Sequence, residues 1–143
     1  MMRTLYLKTI RYSEHGYPDP KKDKILMIGL YTDETKVFSA NKDGGEKGII
    51  QKFIEEFERY SPERVVGYKI DYEDWPFIVE RGKKNGVNVV LNGKEPKLTG
   101  KYFRGTIIRE TVIEGCENID LFPVCLLYTS DAADDGESVD LGG

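Results

Sequence analysis

Residues 82–109 gather seven bases, Lys83, Lys84, Lys94, Lys97, Lys101, Arg104 and Arg109, against a single acid, Glu95, with Tyr102 and Phe103 set among them. Cations attract phosphates and exposed rings stack on bases, so this mixture suits a path for single-stranded DNA. The competing reading is a solvated charged face whose aromatics belong to the core. Other chemistries find little support. His15 is the only histidine and sits in a Gly/Pro loop, so no Ser/His/Asp or Cys/His arrangement can be built around it. Neither Gly44-Gly45-Glu46-Lys47-Gly48 nor Asn92-Gly93-Lys94 has phosphate-loop spacing. The run DAADDG lacks a calcium loop's alternating acids, because Ala133 stands at the third position if Asp131 is the first.

The elements that must position these residues follow from periodicity. Leu5, Leu7 and Thr9 alternate with Tyr6, Lys8 and Ile10, which predicts a strand from about Thr4 to Arg11. Tyr12 to Asp23, with Gly16, Pro18 and Pro20, reads as a loop. Lys24 to Tyr31 is nearly all apolar, as in a strand buried on both faces, and Thr35 to Ser39 pairs with it as a hairpin. Ile49, Ile50, Phe53, Ile54 and Phe57 recur at helical spacing, with Glu55 and Arg59 placed for an i,i+4 pair and Ser61-Pro62 as the stop. Arg64 to Tyr68 is a short strand. A second helix is predicted from Asp74, with Pro76 in its first turn, to Asn85-Gly86. Trp75 and Phe77 flank that proline as core anchors. Val87–Leu91, Tyr102–Ile108 and Thr111–Ile113 complete the pattern as short strands, separated by turns at Asn92-Gly93 and Gly100. The order implies an α/β mixed sheet with flanking helices, in which ligand sites gather at strand ends and helix N-termini, here Lys8 with Ile10 and Asp74.

Charge divides the chain. The 143 residues carry a formal charge of −4, but all 21 bases precede position 125, and five acids fall in the last 19 residues. Residues 1–124 therefore stand at 21 − 20 = +1, so the mild acidity does not count against DNA. The segment CLLYTSDAADD resembles the in-frame translation of a transposase-based sequencing adapter, and SVDLGG resembles sequence beyond its index. The expected organisation is a domain at 1–124 and a non-native, disordered acidic tail at 125–143. No apolar run approaches the roughly 18 residues that span a bilayer. Two cysteines, Cys116 and Cys125, are too few for a disulfide framework, which points to a reducing cytoplasm. Cys116 is expected to be a bystander.

Three stretches carry a family likeness: YSEHGYPDPKKDKILMIGLYTDE, VVGYKIDYEDWPFIVERGKKNG and GCENIDLFPV. They resemble the 3′-5′ exonuclease domain of archaeal-type family B DNA polymerases, an RNase H-like fold, over about Leu5 to Val124. The resemblance implies two-metal phosphodiester hydrolysis, in which carboxylates hold two cations about 4 Å apart. Its first motif, Asp-x-Glu, falls on Lys8-Thr9-Ile10, so both acids are absent. Its second, an Asn and an aromatic ahead of an Asp, falls on Gly67 to Asp74, where Lys69 replaces the Asn, Glu73 the aromatic, and Asp74 remains. The third, Tyr-x-x-x-Asp, would lie beyond Val124.

These readings imply a truncated RNase H-like domain, part of a DNA-directed DNA polymerase acting in replication or repair, catalytically inactive and kept as scaffold or DNA-binding surface. No metal site and no cofactor are expected. Lys8 is expected to pair with Asp74 in place of a metal, although Asp74 could equally be a simple helix N-cap. The expected partners are single-stranded or primer-template DNA, contacted through Lys83, Lys84, Lys94, Lys97, Lys101, Tyr102, Arg104 and Arg109, and the remaining polymerase domains, with no membrane. Two alternatives stand beside this. One is an active proofreading exonuclease, using Mg2+ or Mn2+, whose first motif is corrupted in the read. The other is a non-enzymatic protein-interaction module.

Overall fold

The computed structural model describes residues 2–14 and 16–122. His15, Cys125, the DAADDG run and the whole 125–143 segment lie outside the described residues.

Strands β1 (Thr4–Arg11), β2 (Ile25–Tyr31) and β3 (Thr35–Ser39) form an antiparallel meander, with Lys8 opposite Gly29 and Gly29 opposite Val37. Helix α1 (Gly45–Tyr60) then returns the chain so that β4 (Arg64–Gly67) lies parallel to β1. A parallel pair needs such a crossover, since no tight turn can join two strands running the same way. A π-helical turn, Ile70–Asp74, leads directly into α2 (Trp75–Lys84). Strands β5 (Lys97–Phe103) and β6 (Thr106–Val112) make a separate hairpin, and β7 (Glu117–Asp120) adds parallel to β4. The main sheet therefore runs β3-β2-β1-β4-β7.

The period-2 pattern of β1 sends Leu5, Leu7 and Thr9 to one face, where Ile28, Leu30 and Val65 join them. Ile49, Ile50, Phe53 and Phe57 of α1, with Trp75 and Ile78 of α2, close over that face. Phe53 and Trp75 meet edge-on at 5.7 Å, and the indole N–H donates to Asn118 Oδ1 at 2.8 Å, so Trp75 anchors both the core and β7. Phe77 is also buried, as expected of a core anchor.

Local expectations fail in five places. Strand β2 is not buried on both faces, since Leu26 and Tyr31 are exposed and Tyr31 lies on the side away from the helices. The helix pair is Arg59 with Glu56 (i,i+3), not Glu55, because Glu56 sits buried where it also accepts from Lys36 at 2.8 Å. Val87–Leu91 is no strand: Val89 and Leu91 bury their side chains, but the only β pairing there is a bridge from Leu91 to Lys94 across the Asn92-Gly93 turn. The hairpin turns at Arg104-Gly105, with φ of 52° and 78°, while Gly100 lies within β5 opposite Arg109. Thr111 and Val112 therefore belong to β6 rather than to a further strand. Residues Glu117–Asp120, quoted only as part of a motif, form β7.

Gly67 closes β4 where the chain must pass close to β1. A Cβ there would lie 2.9 Å from the Leu7 carbonyl oxygen and against the Ile70 side chain. Gly67→Ala is expected to cost about 1–3 kcal/mol by overpacking, read as a lower urea midpoint with an unchanged slope.

Candidate functional site

The end of β1 and the π-helical turn meet at Asp74, which is fully buried. Beyond Tyr6, β1 no longer pairs with β4, leaving the Thr9 amide free on that side. Asp74 Oδ1 accepts from the Thr9 N–H at 3.0 Å and from the Thr9 hydroxyl. Asp74 stands at the N-cap position of α2 but has helical backbone angles and makes no side-chain cap bond, so capping is not its role. Its carboxylate serves β1 instead.

The cation at this carboxylate is Arg11, whose Nη1 lies 3.8 Å from Oδ1. Lys8 is exposed and forms no ion pair with Asp74, acting on it only as a more distant charge. The cause is strand parity. Thr9 and Arg11 share the face that meets the π-helical turn, whereas Lys8 and Ile10 lie on the other face of the sheet. Burial raises the Asp74 pKa, opposed by the Thr9 hydroxyl and by Arg11 and Lys8. Arg11 also donates from Nη2 to Glu73 at 3.2 Å and lies 5.3 Å from the centre of the Phe77 ring. Three atoms here are buried without a hydrogen-bond partner: Arg11 Nε, Arg11 Nη1 and Asp74 Oδ2. Each such group costs about 1–3 kcal/mol until something satisfies it. A cavity of about 270 Å³ lies nearby, walled in part by Arg11, Tyr17, Lys69, Tyr72, Glu73 and Phe77.

The π-helical turn is pinned from β7. Asp120 accepts from the backbone N–H groups of Lys69 (2.7 Å), Asp71 (3.0 Å) and Phe122 (2.9 Å), and Asn118 Nδ2 donates to Asp71 Oδ1 at 2.7 Å. Lys69 holds φ of 60°, a left-handed conformation that asparagine adopts more readily than lysine. The Asn-to-Lys replacement thus sits on a backbone better suited to Asn. The Lys69 ammonium lies 4.6 Å from the centre of the Phe122 ring.

These donors do not suit a pair of divalent cations. Among the described residues no group of three or more His, Cys, Asp or Glu is placed to hold a metal. Where the family motif puts acids there are an exposed lysine and an isoleucine, and a guanidinium lies against the one motif acid that remains. A fixed positive charge there repels a dication.

The basic residues fall in several places. Lys83 and Lys84 end α2, Lys94 follows the Asn92-Gly93 turn, and Arg104 is at the hairpin tip. Lys97 and Lys101 share one face of the hairpin with Glu110, and Lys101 pairs with that acid at 3.2 Å. Tyr102 and Arg109 share the opposite face with Ile107. All seven bases are exposed, and Tyr102 is 79% exposed, so this aromatic does not belong to the core. The Tyr72 hydroxyl accepts from the Arg109 N–H at 3.3 Å and ties the middle of β6 to the π-helical turn.

Residues 30–129 match the family model described as DNA polymerase family B, exonuclease domain. The chain belongs to the family B DNA polymerases, as their 3′-5′ exonuclease domain. It is 34% identical over 98 residues to a DNA polymerase of Archaeoglobus fulgidus, and 36% identical over 97 residues to DNA polymerase 2 of Aeropyrum pernix. Those alignments take in 62% and 64% of this chain but 12% of each relative, so the chain spans about an eighth of their length. A solved family B DNA polymerase from Pyrobaculum calidifontis superposes with a TM-score of 0.73 at 27% identity, over 90% of this chain and 16% of that one. The mixed sheet with helices on it accords with the RNase H-like fold implied by the sequence.

Arg11, Thr9 and Asp120 were absent from the sequence-derived site. Arg11 and Thr9 carried a usable signal, since they share the β1 parity of buried Leu5 and Leu7. Asp120 carried none, because its role depends on β7 pairing beside β4.

Proposed function

We propose that this family B exonuclease domain holds DNA without hydrolysing it, as a scaffold or DNA-binding surface of a cytoplasmic DNA polymerase active in replication or repair. One observation carries the reading: the Arg11 guanidinium lies 3.8 Å from Asp74, the one motif acid that remains, while Lys8 and Ile10 stand at the positions where two-metal chemistry would need further carboxylates. Asp74, the remnant of the second motif, then serves as a structural acceptor for Thr9. The hairpin bases and Tyr102, together with Lys83, Lys84 and Lys94, offer the charge and stacking surface for single-stranded or primer-template DNA. The remaining polymerase domains are its other partners.

Incubating the chain with 3′-labelled single-stranded DNA and Mg2+ or Mn2+ should leave the strand at full length. Metal-dependent shortening would overturn this and favour an active proofreading enzyme. Binding to the same DNA should weaken steeply with salt. The double substitution Lys101→Glu with Arg104→Glu should flatten the slope of log affinity against log salt by about 0.7 for each phosphate no longer neutralised. A flat salt response in the unsubstituted chain would instead favour a protein-interaction module.

A further inference from the structure

We propose that the uncovered face of the main sheet is a docking surface for an amphipathic helix whose apolar stripe carries a single carboxylate, with Lys8 as the group that selects it. The surface lies on the side of the sheet away from Asp74 and both helices, and it is independent of the DNA-holding role.

Strand parity builds this face. Tyr6, Lys8 and Ile10 alternate with the buried Leu5, Leu7 and Thr9, which pack under the helices. Across the register, Tyr6 stands opposite Tyr31 on β2 and Val66 on β4, Ile10 stands opposite Met27, and Gly29 is flanked by Lys8 and Val37. The Tyr6 and Tyr31 rings lie 6.0 Å apart. Tyr6, Ile10, Tyr31 and Val37 are 48–52% exposed. A contiguous apolar surface across three strands marks an interaction site. Strands in parallel pairing, as β1 with β4 and β4 with β7 are, ordinarily have both faces covered.

Lys8 decides what covers it. Strand β1 is the middle strand of five, so this ammonium rises from within the apolar surface, and Gly29 beside it has no side chain and leaves a dip. Among the described residues Lys8 forms no ion pair, whereas Lys36, Lys52, Lys94 and Lys101 each pair with an acid. Covering the face strips water from the ammonium, which is costly unless an anion arrives with the cover. An acid within an apolar stripe meets that demand, a base there is repelled, and a wholly apolar stripe leaves the charge stranded. The cover is helical because a sheet face, unlike a sheet edge, offers no backbone N–H or C=O groups. Whatever binds must satisfy its own backbone and make contact through side chains, as a helix does at i, i+3 and i+4. A second copy of this chain does not fit, since two identical faces packed about a two-fold axis bring Lys8 towards Lys8.

The test measures binding of the full chain, by fluorescence anisotropy, to three labelled helical peptides of about five turns. They share a leucine stripe and differ only at its central position, which is Glu, Lys or Leu. The Glu peptide is expected to bind at least tenfold more tightly than either of the others. Lys8→Glu should reverse the order of the Glu and Lys peptides. Lys8→Met, which keeps an apolar stem and needs no new charge tolerated, should bind the Leu peptide best. The double substitution Ile10→Ser with Val37→Ser, at half-exposed positions, should weaken the Glu peptide several-fold. A preference for Glu that survives Lys8→Met overturns the role of Lys8. Undiminished binding by the double variant puts the contact elsewhere and overturns the face. No binding by the unsubstituted chain, or equal affinity for all three peptides, overturns the docking surface. Dimers in sedimentation that the double variant dissolves would give the face to a second copy and overturn the helix.

Discussion

Replacing Glu46 by alanine should cost this domain about 3–5 kcal/mol, the usual result of stranding one partner of a buried ion pair. Glu46 sits in the first turn of α1 yet is almost fully buried, as is Arg81 on α2. Arg81 donates from Nε to Glu46 Oε2 and from Nη2 to Oε1, both at 2.9 Å, a bidentate fork. The same carboxylate accepts from the Ile25 N–H at 2.8 Å and from Asn85 Nδ2 at 2.9 Å, and Arg81 Nη1 reaches the Pro20 carbonyl at 3.3 Å. The Glu46–Arg81 pair thus joins the start of β2, both helices and the loop before β2. Burial works against its ionisation, but Arg81, the Ile25 amide and Asn85 together hold its pKa below the usual value. Glu46→Ala leaves a buried guanidinium, an unpaired amide and a small void. Urea unfolding should show the loss as a lower midpoint with little change of slope. A loss under about 1 kcal/mol would mean that water takes over the carboxylate's bonds, so that the pair is worth no more than a surface one.

That pair also shows where the sequence was readable and where it was not. Strand β1, the first hairpin and α1 were legible because their burial is periodic within a short window: Leu5 and Leu7 alternate, and Ile49, Phe53 and Phe57 recur by helical turns. The Ser61 stop was legible for a local reason as well, and its left-handed backbone with an N–H donating to the Phe57 carbonyl is the cap expected there. Glu46 stood in a run considered only for phosphate-loop spacing, and its role was hidden because its partners lie 21, 35 and 39 positions away. The hairpin was misregistered because its turn residues, Arg104-Gly105, lack the Asn-Gly or Asp-Gly signature. At the site, Lys8 was chosen for Asp74 by position within a motif. The fold chose Arg11, because a one-residue step along a strand reverses the face. Strand parity was available in the sequence, but which face meets the π-helical turn was not.

Acidity should strengthen this domain over one pH window, through Asp71. Its carboxyl is nearly buried, and burial lifts its pKa from 3.8 to about 6, only partly offset by the Thr111 hydroxyl and the Asn118 amide, while the nearby charges of Asp120 and Glu110 raise it further. Between those values the folded state holds a proton that the unfolded chain releases. Stability therefore falls as pH rises through the window, by a total of about 3 kcal/mol. Glu46 and Glu56, whose folded pKa values are lowered, act in the opposite sense and lose their contribution as pH drops below the ordinary glutamate range. The whole-domain profile mixes the two, so the discriminating measurement is a difference. Asp71→Asn keeps an acceptor for Asn118 and removes the titrating charge. It should match the unsubstituted chain near pH 4 and exceed it by about 2–3 kcal/mol at pH 7, the gap opening between pH 4 and 6. A constant gap across that range would show that Asp71 does not titrate there. A less stable Asn variant at pH 7 would show that Thr111 and Asn118 favour the ionised carboxylate by more than the cost of burying its charge.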